Sequence, residues 1–80
     1  MTNILKSPLE QQIFQLGKRQ ARLSSIEMLL EVKFGYEGLR LMPKISGITD
    51  FEQLGKIYLS IIAVATLEEV RLVIEREFDQ

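Results

Sequence analysis

Glu27 and Glu31 stand four residues apart, one helical turn, and two carboxylates at that spacing can share a metal ion or a proton. Lys18, Arg19 and Arg22 form a basic cluster that could hold a phosphate or an acidic partner. Tyr36 and Tyr58 carry hydroxyls able to act as acids, and Ser24-Ser25 offers two oxygen nucleophiles. None of these groups has the companion that catalysis requires. The chain contains no histidine and no cysteine, which removes imidazole bases, thiol nucleophiles, disulfides and conventional zinc sites. Without a base, Ser24-Ser25 cannot build a triad, and Gly35, Gly38 and Gly47 do not have phosphate-loop spacing. The tyrosines read as amphipathic residues at the edge of a small core. Glu27 and Glu31, like Glu75, Glu77 and Asp79, read as solvated helix faces, the last three opposing the dipole of a C-terminal helix end and favouring fraying. No catalytic residue, metal ligand or cofactor site is therefore expected, and the chain is not read as an enzyme.

Composition narrows the classes further. Eighty residues allow one small domain, and 46% hydrophobic with 26% charged residues is the balance of an ordinary globular chain. A net charge of −1 argues against a binder of nucleic acid held by bulk electrostatics. The charge is divided: residues 1–48 carry seven basic and four acidic side chains, residues 49–80 three and seven. Such polarity favours pairing of the two halves, within one chain or between two. The longest apolar run, Ile57 to Ala65, is less than half the roughly 20 residues that span a bilayer, and residues 1–12 lack the apolar stretch of a secretory signal. A cytoplasmic location is expected, with no membrane association.

The elements follow from the punctuation. Ser7-Pro8-Leu9-Glu10 is a capping box with proline at the first helical position, so a helix should begin at Pro8, after a disordered segment 1–7. Apolar residues then recur at Leu9, Ile13, Leu16, Leu23, Leu30 and Phe34 until Gly35 supplies a stop, giving a helix about 40 Å long. Its stripe is narrow up to Gln20, as in a coiled-coil seam, and broad beyond Leu23, as in a globular core. Gly17 is a weak point where the helix could bend or fray. Tyr36 to Gly47 should hold one or two turns, broken at Pro43, and then a loop. Thr49-Asp50-Phe51-Glu52 is a second box, opening a helix apolar almost all round that should lie at the centre of the core; a buried strand over Ile57 to Ala65 is the rival reading. Thr66-Leu67-Glu68-Glu69 is a third box, opening a last helix with Leu67, Val70, Val73, Ile74 and Phe78 on its apolar face, after a turn at Ala63 to Ala65.

The stretches FGYEGL at Phe34 to Leu39, TDFEQLGKIYLSII at Thr49 to Ile62 and ATLEEV at Ala65 to Val70 resemble a small helical domain of unknown function. That domain ends many bacterial, often cyanobacterial, proteins of the Rpn and PD-(D/E)XK nuclease or putative transposase type. Phe34-Gly35, Phe51-Glu52-Gln53-Leu54 and Thr66-Leu67-Glu68-Glu69-Val70 stand in the matching places, and the likeness covers residues 23 to 78. Two departures matter: the proline that follows the Phe-Gly stop in the family comes late here, at Pro43, and the nuclease module is absent. The resemblance implies an accessory or interaction domain and transfers no catalytic residue.

The expectation is thus an all-α domain over residues 8–80: a long N-terminal helix, a short middle helix or turn, and two C-terminal core helices, assembling as a helical dimer. Leu9, Ile13, Leu16 and Leu23 are the candidate interface with a partner helix, from a second copy or another protein. The alternative is a weak nucleic-acid-binding domain using Lys18, Arg19 and Arg22, joined by Lys33, Arg40 and Lys44.

Overall fold

The computed structural model describes residues 7–78. It is all-helical across them: α1 (Pro8–Phe34), α2 (Tyr36–Leu39), α3 (Met42–Ile45), α4 (Phe51–Ala63) and α5 (Leu67–Phe78). The segment 1–6, expected to be disordered, lies outside the described residues. Ser7, grouped with it, is extended at φ −114° and ψ 154°, and its hydroxyl accepts from the Glu10 amide at 3.1 Å, which is the expected cap. From there α1 runs unbroken through Gly17 for 27 residues. Gly35, at φ 69°, ends it where expected, its N–H donating to the Glu31 carbonyl.

The middle segment is two separate turns. Gly38 is buried against the end of α1, so close that a Cβ there would stand 2.7 Å from the Leu30 carbonyl oxygen. Glycine lets α2 fold back onto the helix it has just left. Pro43 does not end a turn. It sits in the first turn of α3, where its missing N–H leaves nothing unpaired, and Ile45 follows it into the core.

The cap of α4 is Asp50, not Thr49. The Asp50 carboxylate accepts from the Glu52 amide at 2.9 Å, moving the helix start one residue along from the expected box. An ionised cap also gains from the N-terminal dipole, which a threonine hydroxyl does not. The third box forms in full: Thr66 Oγ1 accepts from the Glu69 amide, and Glu69 Oε1 accepts from the amides of Ala65 and Thr66. Ala63 remains helical, so residues 64–66 make the turn rather than 63–65. The strand reading of Ile57 to Ala65 gives way to helix.

Among the described residues nine form the core: Leu23, Ile26 and Leu30 of α1, Ile45 of α3, Leu54, Ile57 and Ile61 of α4, and Val70 and Ile74 of α5. α4 lies between α1 and α5, as its apolar content implies, but it is not buried all round, because Leu59 and Ile62 face outward. α1 and α4 run parallel. Lys18 and Arg22 lie over Phe51 at the start of α4, and Lys33 reaches the carbonyl of Ile61 at its end. Such a direction requires a return segment, which the two short turns and the 46–50 loop provide. No helix among the described residues is long and apolar enough to cross a membrane.

Candidate interaction surface

No residue of α1 before Leu23 enters the core. Its first ten residues, 8–17, are all exposed, and Leu9, Ile13 and Leu16 keep 65%, 61% and 60% of their surface open. Steps of four and three put these three on one side of the helix. Leu23 was expected to continue their seam, but it points into the core at 8% exposure, so the candidate interface is three residues of the four. The helix is long because its second half serves the domain and its first half extends past it. The radius of gyration, 14.5 Å, exceeds the roughly 12 Å of a compact chain of this length.

The basic residues are engaged with the fold. Arg19 donates through Nη2 to the Ser46 carbonyl at 2.6 Å and through Nε to the Ile48 carbonyl at 3.2 Å, holding the loop that leads into α4. Arg22 lies 4.1 Å and the Lys18 ammonium 4.6 Å from the centre of the Phe51 ring, at cation–π distance. Lys33 donates to the carbonyls of Ile61, Ile62 and Val64, closing the C-terminal end of α4. Arg40 pairs with Glu37 one turn back. Four of these cations, Lys18, Arg19, Arg22 and Lys33, therefore connect parts of the domain.

No family model matches the chain. No curated protein and no solved structure matches it either.

The remaining candidates fall apart spatially or chemically. Glu27 and Glu31 are exposed on α1, and among the described residues no three acidic side chains come together as a metal site. Tyr36 stands in solvent, Tyr58 packs against the core, and Ser24-Ser25 is exposed. The Glu69 carboxyl is held below its ordinary value of 4.5, chiefly by the Thr66 hydroxyl, then by the Ala65 and Thr66 amides, with Lys33 adding a smaller attraction. Glu69 thus serves the cap of α5. A cleft between the middle turns and α5 is lined by charges of both signs, Arg40, Lys44 and Arg71 with Glu37 and Glu75, while the ion pairs Arg40–Glu37 and Arg71–Glu68 each lie within one half of the chain.

Sequence reasoning missed the outward apolar residues of the body. Met28, Val32, Leu59 and Ile62 are each at least half exposed, and Phe14 nearly so. Their signal was present in α1 as a second stripe, beside the leucine-rich one.

Proposed function

We propose that the protein is a non-catalytic interaction module whose long first helix takes a second helix along Leu9, Ile13 and Leu16. The observation that supports this is the exposure of all three on one side of a helical segment that sends no residue into the core. A helix of this length without packing is marginal in water, because its stability comes mainly from burial of an amphipathic face. Polar neighbours such as Gln11, Gln12 and Gln15 flank the stripe and leave it narrow, the pattern of a helix-to-helix seam. The resemblance to the C-terminal domains of nuclease-like proteins adds an accessory role to this reading.

Sedimentation of the full chain from about 1 to 100 µM tests it. The expected result is a mass that rises above 9.2 kDa with concentration, and a lower mass at equal concentration for the Leu9→Gln, Ile13→Gln, Leu16→Gln triple variant. A triple variant of unchanged mass throughout the series overturns the reading.

A further inference from the structure

The surroundings of α1 change at one residue. Residues 8–17 are all exposed, whereas Lys18 and Arg19 are half-buried. From there the helix is tied to the body: the Lys18 ammonium and the Arg22 guanidinium lie over Phe51, Arg19 donates to the carbonyls of Ser46 and Ile48, and Leu23 enters the core. Before it, Gln15 and Leu16 border the cleft beside residues 49–52, and the Phe14 ring lies 5.4 Å from the Lys18 ammonium. Gly17 stands at the boundary.

Glycine has two effects there. Inside a helix it lowers propagation about fivefold relative to alanine, and no packing offsets the loss, because a Cβ at Gly17 would meet nothing within 4 Å. At a helix start it is an accepted N-cap, poorer than serine by about twofold at most. α1 therefore holds two caps: Ser7 for the 27-residue helix, and Gly17 for a helix over 18–34 whose ties to α4 and the 46–50 loop are complete without the arm. Charge weighs the other way. Glu10 in the first turn favours the long helix, whereas the short one would open on Lys18 and Arg19, against its dipole. Each effect is a few-fold and they oppose one another, while the exposed residues between propagate with factors near one. The winding of residues 8–16 is thereby held within about tenfold of even.

We propose that Gly17 is a switch point, at which residues 8–16 wind and unwind as one unit on a helix 18–34 that stays in place. Its purpose rests on the interaction reading, since Leu9, Ile13 and Leu16 share one side only when the arm is wound. A second helix then binds the long form alone, and its apparent affinity is reduced by the fraction of chains that are wound. Gly17 sets that fraction.

Hydrogen exchange of the full chain at about 1 µM, read residue by residue, tests the switch. In the short form the Ala21 amide is the first to donate within the helix, to the Gly17 carbonyl. Amides 11–20 should therefore share one protection factor, with a step up of at least about tenfold at residue 21. Gly17→Ala improves propagation and removes the inner cap, so it should raise protection across 11–20 together by at least about fivefold and leave 22–33 unchanged. Gly17→Asn, whose small gains in propagation and in capping offset each other, should stay within about twofold of the parent. Ordinary fraying exposes the outer amides without passing residue 17. Protection that climbs gradually from residue 11, or Gly17→Ala that leaves 11–16 unmoved, therefore overturns the proposal. Failure of the interaction reading shows separately, as a mass that stays at 9.2 kDa across the concentration series while the step at residue 21 persists.

Discussion

The Lys33 ammonium donates to the Ile61 carbonyl oxygen at 2.6 Å, so the last turn of α1 closes the last turn of α4. It also donates to Ile62 and Val64. α4 ends without a glycine cap, with Val64 extended, and its final carbonyls would otherwise depend on water. A cation at a helix C-terminus also complements the dipole. Lys33→Met keeps much of the apolar stem and removes the donor. It should cost about 1 kcal/mol, below the roughly 1.5–3 kcal/mol usual for charged hydrogen bonds because Lys33 is exposed. In a domain of this size that lowers Tm by roughly 4–8 °C, readable in a thermal melt. An unchanged Tm would show that water satisfies these carbonyls equally well.

Gly38 and Gly17 should respond oppositely to the same substitution. Both are helical, so alanine gains about 1 kcal/mol of helix propensity at either position. At Gly17 a Cβ meets nothing within 4 Å, and Gly17→Ala should stabilise by roughly 0.5–1 kcal/mol. At Gly38 the Cβ would stand 2.7 Å from the Leu30 carbonyl oxygen and 3.0 Å from Phe34 Cβ, neither of which is a flexible end. Gly38→Ala should therefore lower stability by about 1–3 kcal/mol as α2 is pushed off α1. Urea unfolding of the two variants reads both signs, and stabilisation by Gly38→Ala would contradict the close packing.

The contrast between these glycines shows what was legible beforehand. Local rules placed the ends of α1, the Gly35 stop and the Thr66 box, since each depends on residues three or four apart. They placed the α4 cap one residue early because Thr49 and Asp50 are both good caps, and choosing between them depends on how the 46–50 loop arrives. Arg19 fixes that loop from 27 and 29 residues away. Spacing alone put Leu23 with Leu9, Ile13 and Leu16, because a seven-residue step keeps nearly the same side of a helix. Only the packing of α3, α4 and α5 shows where along α1 that side stops facing solvent. The basic cluster was visible by composition, but its engagement with Phe51 and with loop carbonyls is long-range and left no sequence pattern.

Acid should weaken the start of α5 through Glu69. Its carboxyl is held below the ordinary value of 4.5 by the Thr66 hydroxyl and the Ala65 and Thr66 amides, so the folded state favours the ionised form. A depressed folded value contributes stability that is fully present above the unfolded value and is lost as pH falls through the folded one. The window therefore lies below pH 4.5. Between about pH 6 and pH 3 the Tm of the parent should fall more than that of Glu69→Gln, which cannot ionise. Equal falls in the two proteins would mean that the cap does not distinguish the protonation states.

Arg22 is the residue whose role most separates a structural reading from a nucleic-acid one. Its guanidinium lies 4.1 Å from the centre of the Phe51 ring and covers Gly55, where a Cβ would meet Arg22 Nη1. The stacking joins the middle of α1 to the first turn of α4, beside the Lys18 ammonium on the same ring. Phe51→Leu keeps an apolar side chain at the site and removes the π face, while Arg22→Gln keeps a polar chain and removes the charge. Each should destabilise, and the double variant should lose less than the sum, with a coupling of about 0.5–2 kcal/mol, the range between an exposed and a desolvated cation–π pair, since both residues are half-buried. Denaturant titration of the two single variants and the double variant closes the cycle. A coupling of zero would return Arg22 to the solvent and restore it as a phosphate contact, and then salt-dependent binding to duplex DNA should fall on Arg22→Gln.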